Sequence, residues 1–326
     1  MGKYYYLVSG LPNIAFDGLK PPYSIAEFKE ELALYITKGD KRLLECLMLR
    51  IDNQNLLEQL QHPDYEMVEG SKITLDELNE LINGIKAEFE SKKEYEAYKI
   101  EKEKEKEKDT YERYFNKIPK VKFKPFRNKN KRLPVYFEPF ARLYLASVES
   151  GEEVIIPWED RLSAMYYAFA MKSSNTFLAS WFELNLNINN IFTALTCRKY
   201  KLNRENYIVG NTEVSNKLRT SNARDFELGE TLELLLPPVL RIAEEADLSQ
   251  REWKKDLLKW EWLDEQIFTK VFGIEAILTY WLKLEMLEYW SGLNKSEGEE
   301  AFRQMVGAMK KGSSNILEEF KRNNKK

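Results

Sequence analysis

Three short stretches share a polar pair spaced by three residues, with an apolar or aromatic residue directly after it. They read Asp52-Asn53-Gln54-Asn55-Leu56, Asn187-Ile188-Asn189-Asn190-Ile191 and Glu285-Met286-Leu287-Glu288-Tyr289. Each interrupts an apolar run of helical periodicity. Residues three apart share a helix face, so Asp52 with Asn55, Asn187 with Asn190, and Glu285 with Glu288 each make one polar spot beside a buried stripe. A helical element that carries the same spot three times predicts a mainly α scaffold assembled by repetition. The six residues are candidate module-bridging or partner-interface positions.

Local signals place the helices. Ser24 with Glu27, and Thr74 with Glu77, form the capping-box pattern in which a hydroxyl and a carboxylate satisfy the first free N–H groups of a helix. Between them Leu43, Leu44, Leu47, Met48, Ile51 and Leu56 recur at helical spacing, from Gly39-Asp40 to His62-Pro63. Further helices are expected over 139–148, 158–171, 175–199, 227–245, 249–271, 274–290 and 296–310. Residues 3–9 are β-prone and end at Gly10-Leu11-Pro12-Asn13, which predicts a short extended N-terminal segment. No other run alternates in the manner of strands.

Composition divides the chain into four stretches: a first helical module over 1–87, a charged arm and basic linker over 88–132, a second module over 133–222 and a third over 223–326. The arm centres on an alternating Glu/Lys block over 101–108, which has no apolar face to bury. It reads either as a solvated helix held by i,i+4 pairs or as a disordered linker. The stretch 117–132 is basic, with Lys117, Lys120, Lys122, Lys124, Arg127, Lys129, Lys131 and Arg132 interleaved with Phe123, Phe126 and two prolines. Proline removes a donor and restricts its neighbour, so this stretch is expected to be extended.

Catalytic signatures are missing. The one histidine, His62, stands before a proline without a second ligand at metal spacing, and no nucleophile elbow accompanies it. Neither the P-loop nor the dinucleotide-binding glycine spacing occurs. Glu285 and Glu288 lack the Glu-x-x-His partners of a di-metal helical site. The expectation is a protein with no catalytic residues, no metal and no cofactor. Cys46 and Cys197 sit in apolar contexts and suit a reducing compartment. No stretch is apolar for the roughly 20 residues a membrane span needs, and the N-terminus lacks a signal peptide's features, so a cytoplasmic location is expected.

The 50 basic and 53 acidic residues leave a formal charge of -3, which gives the chain as a whole no footprint for nucleic acid. The stretch 117–132 is the local exception. It supports an alternative reading as a soluble helical module that binds RNA or another polyanion. Aromatic residues gather late in the chain, at Trp253, Trp260, Trp262, Phe268 and Phe272, then at Tyr280, Trp281, Tyr289 and Trp290. They predict a core between two helices. Trp260 and Trp262 lie about 200° apart around a helix, so one of them is expected to meet another module or a partner.

The run Phe272-Gly273-Ile274-Glu275 followed by Tyr280, Leu284, Glu285 and Glu288 resembles the C-terminal signature of the central-stalk subunit of V-type and A-type ATPases, called C or d. That family is built from three related helical modules, each with a helix carrying an acid, then Asn, then an apolar residue. The three polar pairs match those helices in order, and Asn187 to Arg198 is similar to the family's Asn-Ile then Arg pattern, which adds Arg198 to the candidates. The second pair begins with Asn187 where an acid is common, and the third has Glu288 and Trp290 in place of Asn and Arg. The arm over 88–132 looks like an insertion. As a whole the chain is most similar to a bacterial family that accompanies V-type ATPase genes. The resemblance implies a funnel-like, pseudo-threefold adaptor that couples the rotating shaft to the membrane proteolipid ring. Its partners would be the shaft subunits and the ring, with the membrane reached only through the ring.

Overall fold

The computed structural model of the chain describes residues 4–16, 21–106, 123, 125–151, 154–268 and 270–297. These residues form eleven α-helices and one short 3-10 turn, and among them there is no strand. The expected helix over 296–310 lies almost wholly outside them. So do Lys117, Lys120, Lys122 and Lys124 of the basic stretch.

The backbone gathers into two units. One joins residues 1–44 to 232–326, and the other spans 45–231. In the first, α1 (Tyr5–Gly10), α2 (Ile25–Tyr35) and the start of α3 (Lys38–Gln61) accompany α9 (Leu236–Ala243), α10 (Leu248–Ile267) and α11 (Ile274–Glu297). Phe28 and Leu32 of α2 are buried, as are Ile277, Tyr280 and Trp281 of α11. The Phe28 ring meets Tyr280 edge-on at 5.1 Å. Phe16 fits between Trp253 and Trp260, with ring centroids 5.0 and 5.3 Å away. Trp260 is thus a core residue, and the Lys283 ammonium lies over its ring, 4.4 Å from the centroid.

The N-terminal segment is helical, not extended. Tyr4 and Leu7 are both buried, a spacing that only a helix turns to one side. The Tyr4 N–H donates to the Phe272 carbonyl, and the Tyr4 hydroxyl donates to Asp40 Oδ2 at 2.5 Å while accepting from the Thr37 N–H. Among the described residues no strand lies beside this segment to reward its aromatic β-propensity, and tertiary contacts decide the conformation. The helix expected over 227–245 is also shorter. Residues 229–235 form turns, and the helix begins only at Leu236, where Pro237 and Pro238 occupy its first turn.

The second unit carries the remainder of α3 together with α4 (Leu75–Lys106), α5 (Phe137–Ser150), α6 (Trp158–Ala170), α7 (Thr176–Tyr200) and α8 (Glu213–Thr220). Its core includes Leu56 of α3, Leu78 and Ile85 of α4, Phe137 and Phe140 of α5, and Leu178, Ile188 and Ile191 of α7. Buried tyrosines pin helix to helix by their polar tips. Tyr136 donates to Asn53 Oδ1 at 2.6 Å and Tyr166 to the Cys46 carbonyl at 2.9 Å. The charged arm is helical as far as Lys106. Residues 125–130 have no regular structure and residues 131 and 132 lie in a turn; residues 117–122 and 124 of the expected extended stretch lie outside the described residues.

Candidate functional site

Helix α3 presents its polar spot to the loop that leads into α4. Asp52 is buried, and its Oδ1 accepts from the Ser71 hydroxyl at 2.6 Å and from the Lys72 and Ile73 N–H groups at 3.0 and 3.1 Å. One turn along, Asn55 closes a ring with the backbone of Val68. Its Oδ1 accepts from the Val68 N–H at 2.9 Å, and its Nδ2 donates to the Val68 carbonyl at 3.4 Å. The loop then turns through Gly70, at φ +89°, and reaches the cap residue Thr74. A residue with a Cβ would be strained there.

Helix α7 repeats this chemistry. Asn190 Oδ1 accepts from the Val209 N–H at 3.0 Å, and Nδ2 donates to the Val209 carbonyl at 2.8 Å and to Ser215 Oγ at 3.2 Å. The next residue is Gly210, at φ +77°, and the chain enters α8 through the cap residue Thr212. Asn187 occupies the place of Asp52 and is likewise buried, yet its Oδ1 has no hydrogen-bond partner among the described residues. The three bonds that Asp52 accepts all fall on Oδ1, and its Oδ2 is likewise without a partner among the described residues.

In the first unit the third pair is half-buried on α11. Glu288 Oε1 accepts from the Ile25 N–H at 2.7 Å, at the first residue of α2. A carboxylate at a helix N-terminus meets both a free N–H and the positive end of the helix dipole. Ser24 and Glu27 complete the capping box around it. Each of the three pairs therefore supplies a residue that holds the entry of another helix. Asp52, Asn55, Asn190 and Glu288 hydrogen-bond within their own units.

Arg198 lies two turns beyond Asn190 and also binds within its unit. Its guanidinium donates to the Ala223 and Arg224 carbonyls at 2.6 and 2.9 Å and stacks 3.8 Å from the Phe226 ring centroid. Phe226 and Glu227 both adopt positive φ. The arginine thus braces a strained bend by filling carbonyls that the irregular backbone leaves open.

The described end of the basic stretch docks on acidic groups of α4. Glu88 Oε2 accepts from the Phe126 N–H at 2.7 Å and from Arg142 at 2.8 Å, and Arg142 also donates to the Phe126 carbonyl. Arg132 donates to the Lys72 carbonyl and lies 3.3 Å from Glu77, which also accepts from Asn130. The Arg142 hydrogen bond holds the Glu88 carboxyl below the usual carboxylate range.

Among the described residues no group of three or more His, Cys, Asp or Glu is placed to hold a metal ion. Both cysteines are buried, and burial pushes the Cys46 thiol up to about 12, away from the thiolate form. No helix of the described residues is long and apolar enough to cross a membrane.

The residues that the sequence did not disclose are those the polar pairs hold: Val68, Val209, Ser71, Ser215 and Ile25. The glycine one or two residues after each valine, followed by a threonine cap, was the signal available for them. Family models match residues 1–121 and 99–313 and describe a protein of unknown function (DUF2764). The chain belongs to the DUF2764 family. No curated protein and no solved structure matches the chain.

Proposed function

We propose that this DUF2764 chain is a non-catalytic adaptor of the central stalk of a V/A-type ATPase, coupling the shaft subunits to the proteolipid ring during ion transport. The observation that carries this reading is the recurrent clamp, in which a polar group on a long helix holds the entry of another helix. Asn55 on Val68 and Asn190 on Val209 use the same pair of bonds, and Glu288 on Ile25 serves the same end. The clamps support the three-module organisation that the resemblance implies. They also suit the mechanical task. Torque passes only through a body that does not yield, and buried amides that hold a loop's backbone by paired hydrogen bonds, as Asn55 and Asn190 do, stiffen close-packed helices.

Under this reading the chain performs no chemistry and binds no cofactor. It would lie at the cytoplasmic face of the inner membrane, attached through the ring. The test is reconstitution with purified shaft subunits and detergent-solubilised proteolipid ring from the same organism. The chain should co-elute with both, and omitting it should leave ATP hydrolysis by the head intact while ion transport stops. Failure to associate with either partner would sink the proposal.

A further inference from the structure

Helix α10 ends against the usual electrostatic preference. Its last turns carry Glu261, Asp264 and Glu265 and no basic residue, although the C-terminal end of a helix dipole favours cations. Asp264 is paired with Lys283 at 2.5 Å. Among the described residues neither Glu261 nor Glu265 has a cation within ion-pair distance. These two acids are four residues apart, so they repel each other along one face. Partial burial, then Glu265 and Asp264, raise the Glu261 carboxyl above its ordinary range.

The same face runs on to Phe268, seven residues beyond Glu261, which caps the helix and is 85% exposed. Lys270, Val271 and Phe272 follow in the turn to α11 and are exposed, and the Lys270 ammonium lies 3.6 Å from Glu275 Oε1, which offsets its charge. The Phe272 ring stacks against Tyr5 at 4.6 Å, which joins this turn to α1, where Tyr6 is 94% exposed. Aromatic side chains supply large contact area with few rotors to freeze, and exposed clusters of them mark interaction sites. An acidic stripe that leads into such a shelf breaks two local rules at one place, the pattern expected where function outweighs stability.

We propose that Tyr6, Phe268, Val271 and Phe272, with Glu261 and Glu265 at their rim, form a docking surface for a helix of another protein. That helix carries an apolar stripe flanked by lysine or arginine. The charge of the rim selects the occupant, because basic residues relieve the Glu261–Glu265 repulsion and an anionic lipid surface would be repelled. The surface lies wholly within one unit, and the inference does not depend on the stalk reading.

The probe is a fluorescein-labelled amphipathic peptide of leucine and lysine, about 18 residues long so that it can form a helix, beside a counterpart with glutamate in place of lysine. The full chain should bind the lysine peptide and not the glutamate one. Tyr6→Ser with Phe268→Ser should weaken binding about thirty-fold, the scale of losing an aromatic anchor. Glu261→Gln with Glu265→Gln should weaken it about three-fold at low salt and less as salt rises. Because all four side chains are exposed or at the rim, thermal melts should match those of the parent chain. Unchanged binding in both variants, or equal binding of the glutamate peptide, would overturn the proposal. So would self-association, or flotation with phosphatidylcholine or phosphatidylserine vesicles, that disappears on Tyr6→Ser, since the occupant would then be a second copy or a lipid surface.

Discussion

Asn190 and Val209 are joined by two hydrogen bonds that satisfy both backbone groups of the valine with a single buried side chain. The same ring joins Asn55 to Val68, with one difference in setting. Val68 is exposed, whereas Val209 is half-buried and its carbonyl also accepts from Ser215. Truncating the asparagine therefore has unequal consequences. Asn190→Ala leaves the partly buried Val209 N–H unpaired, while Ser215 still donates to the Val209 carbonyl, and should cost about 2 kcal/mol; water can replace much of what Asn55→Ala removes, at about 1 kcal/mol. Urea denaturation of the two variants checks the order. Equal losses would mean that the two clamps are equally dry.

Gly84 and Phe126 offer a test in which the sign of an effect reverses. Alanine in place of glycine inside a helix ordinarily stabilises by about 1 kcal/mol. A Cβ on Gly84 would lie 2.3 to 2.8 Å from three atoms of the Phe126 ring, and the Phe126 backbone is pinned by Glu88 and Arg142. Gly84→Ala should destabilise the parent chain. In a Phe126→Ala background it should stabilise by about the ordinary amount. A double-mutant cycle measures the coupling, and additivity would show that the 125–132 segment is not seated against α4 in solution.

What the sequence disclosed and what it hid follow one physical division. The capping boxes at Ser24 and Thr74 were legible because donor and acceptor lie three residues apart, and the expected helices from 139 to 199 begin and end close to α5, α6 and α7. The polar pairs were legible as pairs, but not their targets. A clamp on a peptide N–H and C=O asks nothing of the clamped side chain, so Val68 and Val209 carry only the glycine that follows them. The N-terminal helix is hidden in the sequence because β-propensity in Tyr4-Tyr5-Tyr6 reports a fit to neighbours, and the neighbours here are Asp40 and Phe272. The aromatic shelf was not legible. The sequence places Phe268 and Phe272 with the tryptophans in a core, but both lie beyond the last turn of α10 and are exposed, and the Phe272 ring meets Tyr5 from the other end of the chain.

Acid should release the segment held by Glu88. Its carboxyl titrates below the ordinary value of about 4.3 because Arg142 and the Phe126 N–H bond to the charged form. A group lowered on folding contributes stability that is fully present above the ordinary value and is lost as pH falls through the folded one. Protection of the Phe126 amide against hydrogen exchange should therefore hold from neutral pH down to the ordinary carboxylate value and fall only below it, as pH passes through the lowered folded value. In Glu88→Gln the protection should already be reduced at neutral pH and nearly flat below it. A parental profile in that variant would place the hold on Phe126 elsewhere.

Tyr4→Phe isolates the contact that fixes the N-terminal helix. The change keeps the ring and removes one hydroxyl, which donates to buried Asp40 and accepts from the Thr37 N–H. Two polar partners then lose a bond. Thr37 Oγ still donates to Asp40 at 2.9 Å, so the carboxylate keeps one partner. The Thr37 N–H does not have that recourse. A loss of about 1–2 kcal/mol is expected in denaturant titrations. Asp40→Asn should cost less, because an amide oxygen still accepts from the tyrosine. If Tyr4→Phe were neutral, the helix would rest on apolar contacts of Tyr4 and Leu7 alone, and Leu7→Ala would then account for the stability that this segment contributes.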